Sequence, residues 1–372
     1  MTEQDFVLSF SEDQMPESGR VSWSSPSNIA LIKYWGKKEN QIPANPSISF
    51  TLDACKTNTE LTYNKRPFSD EYSFEVLFKG GLKPEFHPKI ETFFKRIEAY
   101  VPFIKNYHFK IETKNTFPHS SGIASSASGM SALAMCLMSL EKEITVSASN
   151  DINDGDYEDY FKSKASFLAR LGSGSAARSI DGPMVSWGYH EDYKNSSDLF
   201  GTVYDGEVNE AFHNYQDAIL LVDKDEKQVS STVGHNLMHK HPFANERFQQ
   251  ANANMSQMKE ILAKGDLDAF IALVEGEALT LHAMMMTSQP YFILMRPNTL
   301  EIINRIWNYR KETGYKACFT LDAGANVHLL FPENEKPKVY EFIKNELVAY
   351  CQNGHYICDN VGHGAQELKN DS

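Results

Sequence analysis

Alternating hydrophobic and polar positions predict three strands in the first part of the chain. Residues 47–52, 72–78 and 107–113 alternate or are rich in β-branched and aromatic residues. Two helical patterns accompany them. Residues 89–100 are amphipathic, whereas residues 126–140 are apolar nearly all round, so the second helix is expected to lie in a core.

The middle of the chain is more polar. Residues 151–160 are acidic and are interpreted as a surface loop, and residues 160–171 have a helical pattern that Gly172 ends. A strand is predicted around residues 184–187. The polar, turn-rich residues 193–214 follow, and a domain boundary is expected there.

The second half again mixes both periodicities. A strand is predicted at residues 217–222, followed by helices at 243–264, 267–285 and 298–313. A hairpin with strands at 317–321 and 327–331 comes next, and a final helix is predicted at 336–350. Strands and helices mixed in both halves indicate an α+β protein with two layered units.

Length and composition narrow the class of protein. A chain of 372 residues favours two domains, and 41% hydrophobic with 23% charged residues is typical of a globular protein. The net charge of −13 argues against nucleic-acid binding. No stretch long enough to cross a bilayer and no secretory signal are expected, and five scattered cysteines favour a reducing cytoplasm.

A loop of small and hydroxyl side chains is the most informative segment. Residues 118–129 read Pro-His-Ser-Ser-Gly-Ile-Ala-Ser-Ser-Ala-Ser-Gly and run directly into the apolar helix. A helix start carries free N–H donors and partial positive charge, which suits a phosphate. A Ser/Gly connector ahead of a buried helix explains the segment equally well.

Three further clusters carry candidate chemistry. Lys33 lies in an apolar run, where a lysine is costly to bury without a partner. Arg178 closes a Ser/Gly segment and offers a planar fork for a carboxylate or phosphate. Asp322 ends a predicted strand, where a plain turn is the favoured explanation for this segment taken alone. A Lys33–Asp322 pair could also be a purely structural ion pair between domains.

Together these segments resemble the diphosphomevalonate decarboxylase family, which is related to galactokinase, homoserine kinase and mevalonate kinase. The matching blocks are Asn-Ile-Ala-x-x-Lys-Tyr-Trp-Gly-Lys at 28–37, Gly-Ile-Ala-Ser-Ser-Ala at 122–127, Gly-Ser-Gly-Ser-Ala-x-Arg at 172–178 and Asp-Ala-Gly-x-Asn at 322–326. Ala325 replaces the family's usual proline. Residues 53–115 and 191–215 match poorly, so no adenine contact is assigned there.

The resemblance implies a two-domain GHMP-kinase-like fold with the active site in the cleft between the domains. Residues 1–205 are expected to form a ribosomal-S5-like α/β domain that binds the ATP phosphates. Residues 206–372 are expected to form a ferredoxin-like α/β domain that contributes the catalytic aspartate.

The implied reaction is the ATP-dependent decarboxylation of (R)-5-diphosphomevalonate to isopentenyl diphosphate, in the mevalonate pathway, with Mg²⁺ as cofactor. Asp322, Lys33 and Arg178 are the expected catalytic residues. ATP contacts are expected from Ser121, Gly122, Ala124, Ser125 and Ser126, with Ser126 also a magnesium ligand. Substrate contacts are expected from Tyr34, Lys37, Ser173, Ser175, Arg178 and Ser231.

Several alternatives stay open. A phosphomevalonate decarboxylase or a mevalonate 3-kinase would use the same fold, and an inactive ligand sensor would retain it without chemistry. His235, His239 and His241 are interpreted as helix-surface residues rather than metal ligands. The resemblance implies a homodimer, and neither a membrane nor a nucleic-acid partner is expected.

Overall fold

A long, mostly antiparallel sheet organises the first half of the protein. The computed structural model describes residues 1–118, 123–146, 154–224 and 231–369. The strands of this sheet are β1 (Ser18–Ile32), β2 (Ser47–Lys65), β3 (Ser73–Phe78), β4 (Gly81–Leu82), β5 (Tyr107–Asn115), β6 (Met184–Trp187) and β7 (Thr202–Val203). Their order is β1-β2-β5-β3-β4, with β6 paired to β2 and β7 to β6; only β3 and β5 run parallel.

Three helices pack with this sheet: α1 (His87–Ile97), α2 (Ser125–Val146) and α3 (Asp154–Gly172). Helix α2 contributes Leu133, Met135 and Leu137 to a core that also contains Phe94 and Phe109. The prediction of a core helix from its apolar pattern is therefore confirmed. Its first residues, Ser125 and Ser126, line the cleft described below.

A four-stranded antiparallel sheet forms the second half. It contains β8 (Gln216–Leu220), β9 (Cys318–Thr320), β10 (Val327–Phe331) and β11 (Tyr356–Asn360), in the order β11-β8-β10-β9. The accompanying helices are α4 (Ser231–Leu237), α5 (Ala244–Lys264), α6 (Leu267–Met286), α7 (Pro297–Thr313) and α8 (Lys336–Phe342).

The two halves share apolar core. Ile29 and Phe50 of the first sheet lie in one cluster with Met255, Phe270 and other residues of the second half. A last short strand, β12 (Gln366–Glu367), returns to pair with β1 and completes the eight-stranded sheet. The α+β architecture with a cleft between the halves agrees with the predicted fold class.

Some sequence predictions were wrong in detail. Residues 154–160, interpreted as loop, belong to α3, and residues 151–153 lie outside the described residues. Glu158 and Asp159 are exposed, and acidic residues suit an exposed helix face as well as a loop. The last predicted helix is α-helical only to Phe342 and continues as a π turn, Ile343–Leu347, and a 3-10 turn, Val348–Tyr350.

Helix α6 also departs from the expectation that no stretch could cross a membrane. By length and composition α6 qualifies as a span, but 61% of its apolar window is buried inside the protein. It packs against β9, and Phe270, Leu273 and Val274 are core residues. Burial in the protein core therefore accounts for its apolar composition.

Candidate functional site

A cleft of about 700 Å³ lies between the two halves, and both line it. Among the described residues, five basic side chains and one acidic side chain line it: Lys33, Lys37, Lys89, Arg96, Arg178 and Asp322. The whole chain carries a net charge of −13, so this concentration of cations is a local property. Such a cleft attracts anionic ligands.

Lys33 and Asp322 meet in the cleft, as the family resemblance implied. Lys33 directly follows β1, and Asp322 lies in the turn between β9 and β10. The Lys33 Nζ lies 3.0 Å from Asp322 Oδ1; the lysine side chain is 2% exposed and the aspartate 27%. Desolvation lowers the pKa of Lys33, while Asp322 and then Glu277 act in the opposite direction.

Arg178 is a buried cation held by hydroxyl groups. It lies in the 3-10 helix Gly174–Ser179, donates to Ser49 Oγ at 3.0 Å and Ser47 Oγ at 2.6 Å, and its guanidinium sits 5.7 Å from the Trp187 ring centre. Burial lowers the pKa of Arg178 to about 10, so it stays charged at neutral pH. Across the part of the chain that the structure describes, no acid lies within ion-pair distance of Arg178, which leaves its charge available to an anion.

The start of α2 faces the same cleft. Ala124, at φ 42°, turns the chain into the helix, and Ser125 and Ser126 follow as its first residues. The Ser126 and Ser173 hydroxyls lie 3.3 Å apart, so two separate Ser/Gly segments meet here. Ser121 and Gly122 lie outside the described residues.

Four other predicted substrate residues lie at the cleft. Tyr34, Lys37, Ser173 and Ser175 line it. The Tyr34 ring packs 4.7 Å from that of Trp187, and Gly174 is needed beside it because a Cβ there would lie 2.8 Å from the Tyr34 hydroxyl. Desolvation and then Arg96 lower the pKa of Lys37. Ser231 begins α4, and its side chain lies outside the described residues.

His235 is a cleft residue that the sequence interpretation missed. It is buried between Tyr34 and Trp35, with ring centres 4.2 and 4.6 Å away. Gly36 N–H donates to its Nδ1 at 3.0 Å. Desolvation, then Lys37 and Arg178, lower the pKa of His235 to about 3. The ring is therefore neutral, and because Nδ1 accepts a hydrogen bond, Nε2 carries the hydrogen.

The surface assignment of these histidines was wrong for two of the three. His235 and His241 are buried, and only His239 is exposed. His241 uses Nε2 to donate to the Met284 carbonyl and contacts the Thr287 hydroxyl, both at 3.0 Å. Among the described residues, no group of three or more His, Cys, Asp or Glu side chains could hold a metal ion.

A second, largely apolar cavity of about 270 Å³ adjoins the cleft. The two spaces share Lys89, Ser125 and Ser126. Its other walls come mainly from β2, β3, β5, α1 and α2: Thr57, Thr59, Val76, Phe78, Ile90, Ile111, Thr113, Asn115, Gly129, Met130 and Leu133. Most of these residues fall in the 53–115 region to which the sequence analysis assigned no contact.

The oxygen donors in the cleft suit magnesium that arrives with a polyphosphate. Mg²⁺ prefers oxygen ligands and commonly takes only one or two carboxylates from the protein, with phosphates and waters as the rest. The Ser126 hydroxyl lines the cleft at the start of α2, and the Ser173 hydroxyl lies 3.3 Å from it. The residues present therefore fit such an ion.

Comparisons with known proteins agree on one family. A model of the diphosphomevalonate decarboxylase-like N-terminal domain matches residues 25–198, and one of the mevalonate 5-diphosphate decarboxylase C-terminal domain matches residues 218–370. A diphosphomevalonate decarboxylase of Ganoderma lucidum is 30% identical over 342 residues, which cover 86% of this chain and 80% of the relative.

Solved structures give the same result. Mevalonate diphosphate decarboxylase from Staphylococcus aureus matches with a TM-score of 0.78 and 25% identity, over 95% of this chain and 98% of that one. A complex of the protein MDDEF with MVAPP, AMPPCP and magnesium matches with a TM-score of 0.77 and 25% identity, over 95% and 100% of the two chains.

Proposed function

The chain belongs to the diphosphomevalonate decarboxylase family, and from this we propose how its cleft carries out the family's reaction. The enzyme converts (R)-5-diphosphomevalonate and ATP into isopentenyl diphosphate, carbon dioxide, ADP and phosphate. The convergence of Lys33, Asp322 and Arg178 in one cleft carries this proposal.

Asp322 acts on the substrate's 3-hydroxyl. A tertiary hydroxyl is a poor leaving group, so it is first phosphorylated: Asp322 accepts its proton while the oxygen attacks the γ-phosphorus and ADP departs. The Lys33 ammonium, 3.0 Å from Asp322 Oδ1, pairs with the carboxylate beforehand and then stabilises charge on the transferred phosphoryl group.

Arg178 holds the substrate carboxylate for the second step. The phosphate leaves C3 with the electrons of its C–O bond, and the carbon–carbon bond to the carboxylate supplies the electrons of the new double bond as carbon dioxide departs. Ser47 and Ser49 fix the guanidinium without neutralising it, so its charge and fork remain available for the carboxylate.

Phosphate binding involves both Ser/Gly segments. The N-terminus of α2, with Ala124, Ser125 and Ser126 preceded by Ser121 and Gly122, receives the ATP phosphates. Magnesium bound with the nucleotide supplies charge neutralisation, and Ser126 is its proposed protein ligand. The substrate diphosphate contacts Tyr34, Lys37, Ser173, Ser175 and Ser231.

The adjoining apolar cavity receives the adenine base. It opens beside Ser125 and Ser126, so a nucleotide whose phosphates lie at the start of α2 can place its base there. Its apolar walls, which include Val76, Ile111 and Leu133, suit a flat aromatic ring.

His235 adds a neutral donor to the substrate site. Its Nε2–H has no acceptor among the described residues, and its ring lines the cleft next to Tyr34 and Lys37. We assign this N–H to a phosphate oxygen of the substrate diphosphate. A neutral histidine suits this role because it donates without adding to the charge of the lysines.

Other expectations remain proposals. Domain limits at 1–205 and 206–372 are supported by family matches that end at 198 and resume at 218. A homodimer, a cytoplasmic location, and the absence of membrane and nucleic-acid partners are proposed on the resemblance and composition. Four of the five free cysteines are buried thiols, which suits a reducing compartment.

The decisive experiment measures products. Purified protein with ATP, Mg²⁺ and diphosphomevalonate should release carbon dioxide and ADP in equal amounts, and the monophosphate should react poorly. Equal or faster reaction of the monophosphate would reassign the substrate. ADP without carbon dioxide would indicate a kinase, and neither product would indicate a ligand sensor.

The same assay tests the general base. Asp322→Asn should lower turnover at least about a hundredfold while nucleotide affinity stays nearly unchanged, because the amide cannot accept the proton. A loss of less than about tenfold would remove Asp322 from the chemistry.

A further inference from the structure

We propose that helix α6 fixes the geometry of the Lys33–Asp322 pair by holding the main chain of both residues, with Glu277 and His282 as its positioning residues. The inference rests on the proposed function of that pair. It concerns residues that lie behind the cleft, outside the four sequence blocks that carry the family resemblance.

At Lys33, the two members of the Arg247–Glu277 ion pair bind the main-chain N–H and carbonyl groups. Glu277 Oε2 accepts the Lys33 N–H at 2.9 Å, and Arg247 Nη2 donates to the Lys33 carbonyl at 3.0 Å. Asn45 Nδ2 donates to the same carbonyl, also at 3.0 Å. The backbone from which the catalytic side chain projects is therefore held by charged groups of the other half of the protein.

This ion pair is itself rigidly placed. The Arg247–Glu277 pair is bidentate, with N–O distances of 2.9 and 2.5 Å, and both side chains are 0% exposed. Asn254 Nδ2 donates to Glu277 Oε1 at 2.6 Å. A buried ion pair usually stabilises a protein no more than a well-packed apolar pair does, so stability alone does not explain the Arg247–Glu277 pair. Its contacts with the main chain of Lys33 give it a positioning role.

At the aspartate, the same helix makes a second contact. His282 Nε2 donates to the Asp322 carbonyl at 3.1 Å, and His282 is 1% exposed. Glu277 and His282 lie five positions apart in α6, about 7.5 Å along a helix axis. Because a packed helix does not stretch, contacts made from it to Lys33 and Asp322 fix the separation of the two.

Glu277 also influences the charge state of Lys33. The groups that face this lysine are Asp322 and Glu277, which raise its pKa, and Arg178, which together with desolvation lowers it. Among the described residues, Arg247, His328 and His282 are further charged or titratable groups around the pair. Loss of the Glu277 charge lowers the pKa of Lys33, so the ammonium form is lost at lower pH.

The chain offers a matched control on the same helix. Glu275 is also a buried carboxylate of α6 paired with an arginine, Arg310, at 2.8 Å, and it accepts from Trp307 Nε1 at 2.9 Å. It does not line the cleft. Glu275→Gln thus removes a comparable charge from α6 without touching Lys33.

The experiment compares kcat, KM and the pH dependence of kcat for wild type, Glu277→Gln and Glu275→Gln. Glu277→Gln should lower kcat about tenfold or more, with KM for ATP little changed. It should also shift the alkaline limb of the kcat profile to lower pH. Glu275→Gln should keep both kcat and the profile. Wild-type values for Glu277→Gln, or equal shifts in both variants, would overturn the proposal.

A second variant covers the case that Glu277→Gln does not fold. Replacing the pair together, Arg247→Met with Glu277→Met, leaves no unpaired buried charge and is expected to fold. It should still show the lowered kcat, and full kcat would overturn the proposal. An inactive wild-type protein would instead contradict the proposed function, so the two failures are distinguishable.

Discussion

The two buried cations Lys33 and Arg178 have different hydrogen-bond partners, and this difference matches their proposed roles. Lys33 contacts a carboxylate, so its charge is balanced before any ligand binds. Arg178 donates hydrogen bonds to two serine hydroxyls and has no ion-pair partner among the described residues, and burial lowers its pKa to about 10. A desolvated cation without a described acid partner gains most from an incoming anion. Arg178 is thus the natural site for the substrate carboxylate.

His235 gives a prediction at this scale. His235→Phe keeps an aromatic ring between Tyr34 and Trp35 but removes the Nε2–H donor, so KM for the substrate should rise about tenfold with little change in kcat. The effect should be equal at about pH 6 and about pH 8, because a ring with a pKa of about 3 is neutral at both.

His241 is the control for this prediction. It is as buried as His235, but its Nε2 is occupied by Met284 and Thr287. His241→Phe should lower the melting temperature and leave KM for the substrate unchanged. If both variants raise KM equally, the cause is a general disturbance of packing around the cleft, and His235 does not donate a hydrogen bond to the substrate.

Among the elements, α2 links the cleft to the apolar side cavity. Its apolar sequence alone predicted burial, and its Ser-rich start alone suggested phosphate binding. The cavity beside it was not predictable, since its walls come from strands and helices distant in sequence. The start of α3 was predicted as a loop because its sequence is acidic and polar. A polar helical turn and a polar loop have similar local sequences, so the local pattern could not distinguish them.

Gly129 in α2 tests the adenine site. It lines the side cavity, and a Cβ added there would meet no other atom within 4 Å. Gly129→Phe should therefore fill the cavity and raise KM for ATP about tenfold or more, while KM for the substrate stays unchanged.

Gly129→Ala serves as its companion variant. It leaves most of the cavity open, so KM for ATP should be unchanged. The protein should be about 1 kcal/mol more stable in chemical denaturation, because alanine favours the helix interior over glycine. Unchanged ATP affinity in Gly129→Phe would show that the base binds elsewhere.

At the scale of the whole molecule, Asp359 connects the two halves through hydrogen bonds between β11 and β2. This buried carboxylate of β11 accepts the N–H groups of Asp53, Ala54 and Cys55 in β2, at 2.7 to 2.8 Å. A few residues later β12 pairs with β1. The second half thus contributes directly to the rigidity of the sheet that carries Lys33.

Asp359→Ala should destabilise the protein strongly. Three N–H groups of β2 lose a charged acceptor, and we expect a loss of about 3 kcal/mol or more in the free energy of unfolding, measured by denaturant titration. Glu301→Ala, which breaks an exposed pair with Arg305, should change stability little. A small effect of Asp359→Ala would mean that water satisfies these donors.

The sequence by itself determined the types of most elements, the Ser/Gly segments and the identities of Lys33, Arg178 and Asp322, because hydrophobic period and short motifs are local properties. Tertiary structure decided that Lys33 meets Asp322 from 289 positions away, that His235 is neutral, and that Glu277 and Arg247 hold the lysine backbone. These depend on burial and on distances between remote residues. The physical reason is that desolvation and charge interactions are set by the surroundings in space, which no local pattern records.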